Sequence, residues 1–149
     1  MPEALQCPYT EVDPALGAAS ALPYVPLTLE LHGKVVSVTG LVDSGAALSV
    51  LPYDVGVQLG AVWEKQTIPV QLAGNLVDSD ARAIVLTATV GHFAAVRLAF
   101  AWTRNNQVPL ILGQVNFFME FDVCFFRSKF AFEVKPSGQT EPQSGRTNG

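Results

Sequence analysis

"GLVDSGAALSVLP", residues 40–52, sets one acid between two apolar runs. The stretch "VVSVTGLV" leads straight into Asp43, so the acid closes a strand rather than decorating a solvated surface. A carboxylate there is costly unless it is hydrogen-bonded or paired. Ser44 supplies a hydroxyl. Gly45 permits an unusual backbone dihedral or the close approach of another chain. "AALSVLP" then re-enters the core. An acid on a tight loop between two buried segments is a candidate for catalysis. The same residues also fit a plain turn in which Asp43 bonds its own backbone. On the Asp-Ser-Gly triplet alone, that plain reading comes first.

The surroundings read as β-structure. "VPLTLELHG" alternates, with Leu27, Leu29 and Leu31 on one face, and "HGK" turns it into the strand that ends at Asp43. "YDVGVQLG" holds one or two helical turns ending at Gly60. "TIPVQLAG" reads as a strand and "NLVDSD" as a polar turn. "RAIVLTATV" and "FAAVRLAFAW" are two strands joined at "GH". "VPLILG" is an apolar run stopped by glycine, and "QVNFFMEF" a short helix. "FDVCFF" and "KFAFEV" form a last hairpin around "RSK". Many short strands between turn signals predict an all-β fold, closed or sandwiched, with one or two short helices. Residues 1–22 read as a leader without periodicity, either flexible or a pro-segment. Residues 23–134 form the domain, and 135–149 are a polar, Gly- and Pro-rich tail expected to be disordered.

Composition narrows the chemistry. Of the 149 residues, 49% are hydrophobic and 15% charged, enough for a sizeable core and unlike a disordered chain. The net charge of −4, with no basic stripe, gives no reason to expect nucleic acid as a partner. Residues 83–102 are apolar enough to raise a membrane span, but His92, Arg97 and the break at Gly91 divide them into strand-length pieces. No membrane partner is expected. The N-terminus has no basic region followed by an apolar run, so it does not read as a signal peptide. The expected location is the cytoplasm. Two cysteines do not make a disulfide scaffold; a Cys7–Cys124 bridge is open but unforced. Two histidines and two widely spaced cysteines give no metal-ligand pattern, so no metal and no cofactor are expected. Cys124, inside "FDVCFF", reads as a buried apolar cysteine rather than a nucleophile. His32 and His92 read as turn residues at the solvent edge. Ser44 lacks a nucleophile-elbow context.

With the alternatives removed, "GLVDSGAALSVLP" resembles the active-site loop of the retropepsin-like aspartic proteases. That family follows a strand with Asp-Thr/Ser-Gly-Ala and then an apolar segment. "LILG", residues 110–113, before "QVNFFMEFDVCF", is similar to the family's second mark, two apolar residues and a glycine ahead of a small helix. The resemblance spans about residues 23–134 and implies a retropepsin-like closed barrel or sandwich. It implies Asp43 as the catalytic acid, with Ser44, Gly45 and Ala46 supporting its loop. It implies Ile111, Leu112 and Gly113 as the supporting apolar-Gly segment. Ala73, Gly74, Asn75 and Leu76 fall where the tip of a mobile flap hairpin would touch substrate. Asp122 falls at a structural position before the last hairpin. One departure stands out: Gln114 follows "ILG" where many members carry Arg or another polar residue and then Asp or Asn.

A second phrase, "LVDSDA" at residues 76–81, nearly repeats "LVDSGA" at 41–46. Asp78 lies only 35 residues after Asp43, far too little chain for a second pepsin-like lobe, and Asp80 stands where the first copy has glycine. Asp78 and Asp80 are therefore expected to be solvated loop residues. The resemblance then implies a two-fold homodimer in which the partner of Asp43 is Asp43 of a second copy, since such an interface brings identical residues together. The expected activity is an endopeptidase acting on a peptide or protein substrate as a homodimer. One carboxylate would activate water and the other would polarise the scissile carbonyl, because two close carboxylates cannot both ionise cheaply. A non-catalytic dimerisation or peptide-binding module on the same fold would carry the same motif, and an unrelated apolar-ligand barrel would make the motif a coincidence.

Overall fold

The computed structural model describes residues 3–138, and its first strand comes from the stretch read as a leader. β1 (Leu5–Pro8) lies antiparallel along the C-terminal strand of the chain, with Cys7 opposite Phe132. Four residues are too few for a visible period, so only the finished sheet reveals β1. β2 (Thr10–Glu11) and β3 (Ala21–Leu22) pair around a single 3-10 turn. The segment 139–149, which holds most of the expected tail, lies outside the described residues.

The main body is a closed barrel. β4 (Tyr24–Leu31) and β5 (Lys34–Val42) form the expected hairpin. His32 and Gly33 both take positive φ, +50° and +86°, as a tight two-residue hairpin turn requires. β6 (Val50–Leu51) follows the Asp43 loop, and α1 (Tyr53–Gln58) follows β6. Gly56 lets α1 settle on the buried indole of Trp102; a Cβ there would run into the ring. β7 (Ala81–Val90) and β8 (Val96–Thr103) are long antiparallel partners, so the apolar run 83–102 is two barrel strands. Among the described residues no helix is long and apolar enough to cross a membrane. β9 (Ile111–Leu112) completes the closed order β4-β5-β9-β6-β8-β7, parallel to β5 and antiparallel to β6. Leu29, Leu51, Leu86, Leu98, Trp102 and Leu112 fill the core.

Beyond the barrel, α2 (Phe117–Glu120) leads into β10 (Phe121–Phe126), which turns through a 3-10 segment into β11 (Ala131–Pro136). The sheet order is β1-β11-β10. Two sequence expectations change here. Cys124 is exposed, because β10 is an edge strand and period-two alternation turns Cys124 away from the core that takes Phe121. Cys7 is the buried cysteine, and both thiols are free. "TIPVQLAG" is not a regular strand. Among the described residues it meets β7 at one isolated bridge, Pro69 opposite Arg82, flanked by the Val70 N–H to the Ala81 carbonyl and the Ala83 N–H to the Ile68 carbonyl.

Candidate active site

β5 and β9 pin the acid loop from both ends. The Leu41 amide donates to the Leu110 carbonyl at 2.8 Å, and the Asp43 amide donates to the Leu112 carbonyl at 3.0 Å. The chain then turns at once. The Ala46 amide donates back to the Asp43 carbonyl at 3.1 Å, and the Gly45 amide donates to Asp43 Oδ1 at 3.0 Å. The plain turn that Asp-Ser-Gly suggests is therefore present, and it orients the carboxylate. Asp43 is half-buried, while Ser44 and Gly45 are exposed. Among the described residues the Ser44 hydroxyl has no hydrogen-bond partner.

The "ILG" segment stitches onto this loop. Gln114 and Val115 amides donate to the Ala46 and Ala47 carbonyls at 2.8 and 2.9 Å. Ser49, fully buried, accepts from the Gly113 amide through its hydroxyl at 3.0 Å and donates the hydroxyl to the Val115 carbonyl at 3.3 Å. The close approach expected at Gly45 occurs at Gly113 instead. A Cβ on Gly113 would collide with the carbonyl oxygens of Leu48 and Ala46, whereas one on Gly45 would meet only Asp43 Oδ1, at 3.3 Å. Gly45 has no positive φ either; its contribution is its N–H. Sequence reasoning passed over Ser49, whose one signal was a hydroxyl inside the apolar run "ALSVLP".

Asp43 opens onto a cavity of about 410 Å³. Residues 45–48, Val50 and Ile111 form one side, and residues 71–76 form the other. Ala73, Gly74, Asn75 and Leu76 thus face the cavity that Asp43 faces. They do so from an irregular loop with a 3-10 turn at Gly74–Leu76, not from the tip of a β-hairpin. Leu72 anchors that loop among Val50, Ala81 and Ala101. The Gln71 side chain ties it across, donating to the Leu72 and Val77 carbonyls at 3.2 and 3.1 Å. Asp78 and Asp80 are exposed and do not line the cavity. Asp122 is exposed on β10, opposite Lys135 in register. A larger cavity of about 530 Å³ lies between β1 and the β4–β5 hairpin, but its walls hold no acid and no histidine. The smaller one is the cavity that Asp43 lines.

A family model described as aspartyl protease matches residues 26–115, which contain the Asp43 loop, the facing loop and the "ILG" segment. The chain belongs to the aspartyl protease family. A crystal structure of a retropepsin-like aspartic protease from Rickettsia conorii is similar over 89% of this chain and 99% of that one, with a TM-score of 0.60 at 13% identity. The retroviral protease-like domain of Ddi1 from Leishmania major is similar over 68% of this chain and 79% of that one, with a TM-score of 0.50 at 20% identity. At these identities the likeness carries the fold alone: this member of the aspartyl protease family has the retropepsin-like fold. A comparison with curated proteins gives no match.

Proposed function

We propose that this aspartyl protease family member is an endopeptidase, with Asp43 as its catalytic acid and the second carboxylate supplied by Asp43 of another copy. The observation that carries the reading is the half-buried Asp43 carboxyl, held by the Gly45 amide at the mouth of a cavity walled by Leu48, Val50, Leu72, Leu76 and Ile111. One carboxylate cannot both take a proton from water and polarise the scissile carbonyl. Two that share one proton can do both. In a two-fold dimer the ionised Asp43 takes the proton of a trapped water as that water attacks the carbonyl carbon. The protonated Asp43 donates to the carbonyl oxygen. Collapse of the tetrahedral adduct then breaks the C–N bond as a proton passes to the leaving amine. Ser44, exposed and with its hydroxyl free, is available to the opposing loop. Residues 73–76 act as the substrate-facing loop, and the apolar walls favour uncharged side chains beside the scissile bond.

The test is Asp43→Asn against a broad peptide mixture, with folding followed by circular dichroism. Cleavage by the parent chain, lost in a folded variant, supports the reading. Parent-level cleavage by the variant would overturn it, and a parent chain that cuts no peptide would favour the non-catalytic module.

A further inference from the structure

The Ser44–Gly45 peptide group is held at both ends. Its N–H donates to Asp43 Oδ1 at 3.0 Å, and its carbonyl accepts the side-chain amide of Gln114 at 2.7 Å. In a trans peptide the carbonyl and the N–H point in opposite directions, so one plane links the two contacts. Gln114 is also fixed at its own backbone, where its N–H donates to the Ala46 carbonyl at 2.8 Å. Its side chain therefore reaches back over the loop from an anchored base.

From this geometry we infer that Gln114 is a positioning residue for Asp43, acting through the Ser44–Gly45 peptide. Two physical effects run along that path. The amide–carbonyl bond fixes the tilt of the peptide plane, which fixes the direction of the Gly45 N–H and so the rotamer of the Asp43 carboxyl. Donation to the carbonyl also polarises the peptide and strengthens its N–H as a donor, as in other hydrogen-bond chains. Gln114 is exposed and takes no part in the core, so its side chain adds little to the fold itself. It is a neutral donor at a position beside the acid. It can orient the loop without placing a second charge next to the carboxylate pair.

The inference rests on the protease reading for its effect on rate, but not for its effect on the loop. The experiment therefore reads both, on the full chain. Gln114→Met keeps the length of the side chain and removes the donor, and Gln114→Lys returns a donor of similar reach. In the Met variant the Gly45 amide proton should move upfield in ¹H–¹⁵N spectra, and the Lys variant should bring it back. Amides in β7 and β8 should stay in place. Against a cleaved peptide, kcat should fall roughly threefold to tenfold in the Met variant, the span expected for one neutral hydrogen bond, with KM unchanged. A Gly45 amide and a kcat both unmoved by Gln114→Met would overturn the inference. So would shifts spread through the barrel, or a fall in KM and kcat together with lost thermal stability, since either would mark a merely structural residue. If the parent chain cleaves nothing, the protease reading fails by itself, and the Gly45 amide alone decides for or against the positioning role.

Discussion

Ser49 and Gly113 carry the loop architecture that Asp43 needs. Removing the Ser49 hydroxyl leaves a buried Gly113 N–H without an acceptor, which costs about 1–3 kcal/mol. Ser49→Ala should lower the urea midpoint accordingly and weaken protection of the Gly113 amide in hydrogen exchange. Gly113→Ala adds a methyl against two backbone carbonyls that have no flexible end to swing away. The expected loss is about 1–3 kcal/mol, read from the same urea titration. The two cysteines give a contrast that labelling can check. Exposed Cys124 should react with a thiol reagent in the native protein, and Cys7 only on unfolding. Burial raises the Cys7 pKa. The folded chain then keeps a proton that the unfolded chain releases, so stability is full below the ordinary thiol range and falls as pH rises through it. Cys7→Ala should flatten that decline in an alkaline series of melts.

Among the elements, the hairpins were the most legible. Alternation and the His-Gly turn specify β4 and β5, and turn residues around "RSK" specify β10 and β11. The elements that escaped are those with no period to read. β1 has four residues and is a strand only because β11 offers it an edge. Residues 67–80 looked half strand and half turn, and they fold as a loop that meets β7 at a single bridge, Pro69 opposite Arg82, while Leu72 packs among Val50, Ala81 and Ala101. That loop can be loosened at one point. Leu72→Ala removes a buried anchor, at a cost of about 2–5 kcal/mol if the whole domain feels it. Faster hydrogen exchange confined to the loop amides, with the barrel strands unchanged, would show that the loop opens as its own unit.

For the molecule as a whole, the closed barrel brings β5, β6 and β9 together and leaves Asp43 on the wall of an open cavity. If two copies share the chemistry, specific activity should rise with protein concentration and level off once dimers dominate. Mixing equal amounts of parent chain and Asp43→Asn should cut activity to roughly half of what the same parent subunits give alone, because random pairing leaves about half of them with an active partner. Activity strictly additive in the parent chain would mean that each copy works by itself.

The order of residues alone determined that the chain is mostly β-structure. It also showed that "VDSGA" and "LILG" are the segments worth watching, and that the near-repeat at Asp78 lacks the glycine of the first copy. Those features are local, written in alternation, in turn residues and in motif spacing. Tertiary structure decided the rest. It put the tight backbone approach at Gly113 rather than Gly45, made Ser49 a buried staple, set Gln114 behind the Ser44–Gly45 peptide and turned Cys124 outward. Each of these depends on which segment lies across from which, 64 to 70 residues away along the chain in the case of Ser49 and Gln114. Hydrogen bonding and steric contact act through space, and at such separations only the closed barrel brings the partners within reach.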